Sequence, residues 1–171
     1  MGTSDKHDLL REGILIGAVG AIVVAGWFLV TDLLQGRPLS TPSVLGQVIL
    51  YGITDPVVSP PALGPVVAYT LLHFGAFALF GVAVTQMIHL SMSSALARFG
   101  LMITAVVFEL FFFMVTYALF TATSFLFPWW SVLAANTLSL LAMSIVTLRA
   151  HPGLREQFSL EPLGDAPAGD R

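Results

Sequence analysis

Long apolar stretches separated by short polar ones dominate the chain. No Asp, Glu, Lys or Arg occurs from Gly13 to Thr31 or from Pro56 to Ala97, and Glu109 alone interrupts the run from Phe99 to Leu148. A helix needs roughly 20 apolar residues to cross ~30 Å of hydrocarbon. The pattern therefore predicts membrane-spanning helices at about 13–34, 65–89, 99–122 and 129–148. Gly36-Arg37-Pro38 closes the first, Pro60-Pro61 and Pro65 precede the second, and Pro128 precedes the fourth. The alternating ten-residue segments of a membrane β-barrel are absent. The expected fold is all-α: a four-helix transmembrane bundle forming one integral domain over 1–151, with a flexible polar tail over 152–171.

The outer connection of about residues 36–64 has a pattern of its own. Thr41-Pro42 reads as a helix start, a hydroxyl cap followed by proline at the first helical position. Val44, Leu45, Val48 and Ile49 then recur on one face, and Gly52 ends the run. About ten residues are too few to span, so a short interfacial helix is expected. Its plainer role is a hydrophobic plug over the bundle; the alternative is a functional lid.

Composition sharpens this picture. Hydrophobic residues make up 56% and charged residues 10%, against about 45–50% and about 25% in soluble domains. Seven basic residues face ten acidic ones, for a net charge of −3, so no basic cluster exists to neutralise phosphates and a nucleic-acid partner is excluded. The absence of cysteine excludes disulfides, thiolate metal sites and thiol chemistry. Lys6, Arg11, Arg98, Arg149, Arg155 and Arg171 fall on one side of the four spans and only Arg37 on the other, which places both termini in the cytoplasm. The first span is too long for a signal-peptide core and lacks a small-x-small cleavage site before Asp32, so it is expected to be retained. Trp129, Trp130, Tyr51 and Tyr69 suit the outer interface.

Lipid gives helices no hydrophobic drive to associate, so close packing and polar contacts must hold them. Gly13, Gly17, Ala21 and Ala25 recur every fourth residue in the first span, with Gly20 beside them. The second carries Gly75, Ala76, Ala78 and Gly81, and Phe108, Phe111, Phe112 and Phe113 in the third offer bulk for such grooves. Whether the first ridge meets the bundle or a second copy of the chain stays open at this point.

Intramembrane polar residues are the candidate chemistry. Glu109 lies about thirteen residues, roughly 20 Å, below the outer end of its span, where an ionised carboxylate costs several kcal/mol unless it is neutral, paired or hydrated. His73 and Asn136 lie at about 12 Å depth, and Asp32 sits at the mouth. Thr116, with Tyr117 beside it, falls two turns above Glu109 on nearly the same face. Together they describe an outward-opening cluster. It reads either as a proton or cation site shared by Glu109 and His73, or as an interhelical hydrogen-bond network that selects which faces meet.

No metal site is expected: His73 and His89 are sixteen residues, about 24 Å, apart on one span, and His7 and His151 lie outside the membrane. No cofactor is expected either, since a bis-histidine haem needs two histidines at one depth; a haem held by His73 alone is the residual option. Di-iron Glu-x-x-His pairs, nucleophile elbows, P-loops, Rossmann glycines and His-Glu-x-x-His are absent. His151-Pro152 after Arg149 reads as a helix stop with cationic residues at the negative end of the dipole.

Trp27-Phe28-Leu29 with Asp32, Gly36-Arg37-Pro38-Leu39, Thr41-Pro42 with Leu45-Gly46, His73, Asn136 and His151-Pro152 together resemble a family of small four-span bacterial membrane proteins. The resemblance covers about residues 11 to 155. It implies the topology and a bacterial inner membrane, with Arg37 and Thr41 fixing the outer loop over the bundle, and it implies no activity. The functional expectation is a non-enzymatic membrane module, an accessory or self-associating subunit with lipid and other membrane subunits as partners. Proton- or cation-coupled transport centred on Glu109 and His73 is the first alternative. A redox subunit holding haem or quinone at His73 is the second.

Overall fold

The computed structural model describes residues 3–91, 95–118, 123, 126, 128–153 and 156, without the side chains of 3–7, 91, 95–98 and 116. Among these residues the fold is all helical and has no strand: α1 (Thr3–Leu34), α2 (Ser40–Tyr51), α3 (Leu63–Ser91), α4 (Ala95–Ala118) and α5 (Trp129–Ala150). Three of the helices hold stretches long and apolar enough to cross a membrane: Asp8–Leu34, Leu63–Leu90 and Trp129–Ala150. The apolar run of α4 is shorter, Phe99–Val115. Residues 119–122 of the expected third span, the side chain of Thr116 and nearly all of the expected tail lie outside the described residues.

The long helices alternate in direction and close a ring in which α1 packs on α3, α3 on α4, α4 on α5 and α5 on α1. Its burial pattern is inverted relative to a protein folded in water. The inward face of α5 is Ser131, Ala135, Asn136, Ser139, Met143 and Thr147, while Leu71 and Leu79 of α3 are 71% and 75% exposed. Water would penalise large outward leucines, whereas lipid does not, and small or polar side chains are what allow helices to meet closely in it.

Glycine decides the α1–α3 seam. A Cβ on Gly17 would overlap the carbonyl oxygen of Phe77, and one on Gly81 would overlap that of Gly13. Gly20 lies under the side chains of Ser139 and Met143 of α5, where a Cβ would also be crowded. The ridge of the first helix is thus spent inside the bundle, not on a second copy. Two of the expected packing residues are corrected. Ala25 is exposed, because four-residue steps advance 400° and carry it about 120° away from Gly13, so Gly20 and Val24 take the seam instead. Gly75 is also exposed, with no atom within 4 Å of where its Cβ would stand.

Bulk from α4 fills the centre. Phe108 packs on Phe80 at 4.3 Å and edge-on against Phe77 at 5.8 Å, and Phe112 follows one turn later, 4.7 Å from Phe108. Phe111, beside them at the edge of this cluster, and Phe113, on the far side of the helix, are exposed.

The expected loop helix is present as α2, and Gly52 ends it as the pattern predicts: at φ 65° it is left-handed, with its N–H on the Val48 carbonyl and that of Ile53 on Gln47. The face it buries differs from the apolar one anticipated. Ser40, Thr41, Ser43, Val44, Gly46 and Gln47 are buried, whereas Ile49 is 40% exposed. The reason is Gly46, which lets α2 rest directly on the backbone of Pro65 at the start of α3. Gln47 then anchors the following loop, donating to the Val57 carbonyl at 2.8 Å and accepting the Val57 N–H at 2.9 Å. Gln47→Ala should remove both bonds, cost about 1–2 kcal/mol, and strip hydrogen-exchange protection from the Val57 amide while sparing the α1–α3 seam.

Candidate functional site

At the α2 end of the bundle, Asp32 is 2% exposed in the last turn of α1. The chain reverses after it through Gly36 (φ 68°) and Leu39 (φ 63°), the latter a left-handed conformation that a leucine rarely adopts. Leu39 precedes α2 and has no side chain able to accept from the helix's free N–H groups. Asp32 performs that role from eight residues upstream. Its carboxylate accepts the Thr41 N–H at 2.8 Å, the Thr41 hydroxyl at 2.7 Å and the Ser40 hydroxyl at 3.0 Å. A negative charge at the positive end of a helix dipole is favourable as well. Thr41, expected to cap α2, is therefore a donor within its first turn. Arg37 donates to Gln35 Oε1 and, at 3.2 Å, to the Leu126 carbonyl, tying this corner to the segment ahead of α5. Trp27 Nε1 donates to Ser131 Oγ across the α1–α5 seam at 2.9 Å.

One level deeper, His73 is half-buried between aromatic rings. Tyr69 stacks on it at 5.9 Å, Phe77 lies at 4.8 Å, and its Nε2 is 3.1 Å from the Ala21 carbonyl. A carbonyl can only accept, so Nε2 carries a proton there. Glu109 stands apart from His73, on the α4–α5 seam. Its Oε1 accepts the Thr137 hydroxyl at 3.2 Å. The side-chain amide of the buried Asn136 is the second donor beside the carboxyl group. Tyr117 is 72% exposed, and the Thr116 side chain is outside the described residues.

Two cavities of about 160 Å³ each connect part of this set. The outer one is lined by Asp32, Thr41, Tyr69 and His73, and the deeper one by Tyr69, His73, Thr123 and Asn136. His73 and Tyr69 are common to both walls. These volumes suit a few water molecules or a small ion and fall below the ~300 Å³ at which organic-ligand pockets begin. The structure thus brings Asp32 to Thr41, His73 to Asn136 across a cavity, and Asn136 to Glu109, while among the described residues His73 and Glu109 share no hydrogen bond.

At the opposite end lies a group that the sequence reasoning missed: Glu12 of α1, His89 of α3 and His151 just after α5, with one ligand atom of each within 4.8 Å of the others. The available signal was position along the chain, since all three sit near the ends of their helices opposite α2. The regular Ser131, Ala135, Ser139, Met143 and Thr147 stripe of α5 was legible by its spacing and also missed. Compared with known proteins, the chain matches no family model, no curated protein and no solved structure.

Proposed function

We propose that this chain is a non-enzymatic integral membrane protein, a four-span bundle that serves as an accessory subunit of a larger membrane assembly. At 24 residues, α4 is ~36 Å long, sufficient to cross beside the other three. The charge bias puts both termini in the cytoplasm, and the sequence resemblance points to a bacterial inner membrane. Glu109 carries the reading. Its half-buried carboxyl group lies near the middle of α4 at the rim of the ring, held by the hydroxyl of an exposed threonine and by the side-chain amide of Asn136. Polar groups left unpaired in hydrocarbon are costly, and interhelical hydrogen bonds select which helices associate. Two donors leave acceptor capacity on the carboxylate, and a polar side chain from a neighbouring subunit, seated on the α4–α5 seam, would use it. The small-residue ridge of α1 does not offer such a surface, because α3 occupies it.

In mild detergent the wild-type protein should crosslink to a defined partner. Glu109→Gln should weaken the complex about 3- to 30-fold, the equivalent of about 0.6–2 kcal/mol for one interhelical hydrogen bond, and Glu109→Leu should weaken it further, both leaving the folded yield intact. A strictly monomeric particle that acquires no partner overturns the proposal.

A second reading, proton- or cation-coupled transport, is favoured by the pair of cavities that share His73 and lead from Asp32 to Asn136 beside Glu109. Flux into liposomes that Glu109→Gln abolishes would put it first. A haem on His73 Nε2 would have to displace the contact with Ala21, so that option is not carried further.

A further inference from the structure

We propose that Glu12, His89 and His151 form a binding site for a divalent transition-metal cation of the zinc type, fastening α1, α3 and α5 together at the end of the bundle opposite α2. The three residues come from separate elements: Glu12 from the third turn of α1, His89 from the last turn of α3, and His151 from the position that ends α5. His151 Nε2 lies 3.3 Å from Glu12 Oε1, and His89 Nε2 lies 3.7 Å from Glu12 Oε2. In a tetrahedral shell with bonds of ~2.0–2.1 Å, neighbouring ligand atoms are ~3.3 Å apart, so little movement separates this arrangement from coordination.

Protonation supplies the second argument. His151 Nδ1 is 3.3 Å from the Thr147 carbonyl, which can only accept, so the proton of a neutral ring sits on Nδ1. The Nε2 lone pair is then turned to the Glu12 carboxylate, and two electron-rich atoms at that separation repel unless a cation lies between them. An imidazole that donates from one nitrogen to a carbonyl and ligates through the other is the usual outer-shell arrangement of metal-bound histidine. Among the described residues, Glu12 Oε1 is correspondingly buried with no hydrogen bond. The two imidazoles stand perpendicular, with centroids 5.6 Å apart, so they do not stack against each other.

Two imidazole nitrogens and one carboxylate suit a borderline cation better than calcium or magnesium, which favour all-oxygen shells. Side-chain exposures of 44% for His89 and 14% for His151 leave an approach from the His89 side. The competing occupant is a proton, which would make the group a plain imidazolium–carboxylate pair.

The full chain, purified through a tag without histidine and stripped with chelator, would be titrated with zinc chloride. One zinc per chain is expected after desalting, with a rise in unfolding temperature, and cobalt(II) should show the visible bands of a tetrahedral N/O site. His89→Gln, at a side chain open enough not to endanger folding, and Glu12→Gln should each weaken zinc at least about tenfold, the lower end of the loss seen when even an outer-shell partner of a metal ligand is removed. His73→Gln should bind as the wild type does. Failure of the wild type to retain zinc, or retention that His89→Gln and Glu12→Gln leave unchanged, overturns the site and leaves the proton-bridged pair.

Discussion

Gly81→Leu is expected to abolish the folded bundle. The Cβ alone would overlap the Gly13 carbonyl oxygen and crowd the Gly17 backbone, neither of which can yield without α1 and α3 separating. Overpacking at a site able to adjust costs about 1–3 kcal/mol; here the obstacle is backbone, so the loss should exceed that range. It is then comparable with much of the ~5–15 kcal/mol by which a domain is stable. Even Gly81→Ala should lower the unfolding temperature and the monodisperse yield in detergent. Gly75→Ala is the matched comparison on the same helix. With open space around it, it should be neutral or should stabilise by up to about 0.5–1 kcal/mol, the helix-propensity difference. Equal effects at the two positions would show that α1 and α3 do not meet through glycine.

Asp32→Ala should release α2 from the bundle. The substitution removes the acceptor of three hydrogen bonds and strands the Thr41 N–H and two hydroxyls in a buried corner. Hydrogen bonds to a charged group contribute about 1.5–3 kcal/mol each, and they do not sum when one side chain accepts all of them. A net loss of about 3 kcal/mol is expected, read as faster proteolysis and lost hydrogen-exchange protection over 39–51. Asp32→Asn keeps one acceptor oxygen and should fall between. If α2 stays protected in Asp32→Ala, its seat on Pro65 suffices without the carboxylate.

Much of the fold was legible because lipid imposes a local rule: a helix must be long and apolar whatever its neighbours. The gaps between charged residues therefore gave α3 and α5 nearly to their ends and the apolar part of α1, whose polar first turns begin ten residues earlier at Thr3, and the Thr41-Pro42 to Gly52 pattern gave α2. Relations between helices were less accessible. Spacing alone put Ala25 with Gly13, though twelve residues of α-helical rotation part them. Asp32 looked like the mouth of a polar path, and it does line the outer cavity, but its carboxylate is committed to a helix that begins eight residues later. His73 and Asn136 were placed at one depth by counting, and they face a common cavity. Glu109 sits with Asn136 rather than His73, a matter of which seam it occupies that counting cannot resolve. Glu12, His89 and His151 went unseen because each is ordinary alone, and only three helix ends meeting at one point gives them a shared chemistry.

The glycine contacts also have a mechanical consequence. They clamp α1 to α3 where Gly13 and Gly17 meet Gly81, Val82 and Phe77, whereas both His73-lined cavities lie farther along, toward α2. At the far end α2 braces the same two helices, resting on Pro65 of α3 through Gly46 and held to α1 by Asp32, so the hollow stretch around His73 hangs between two fixed abutments.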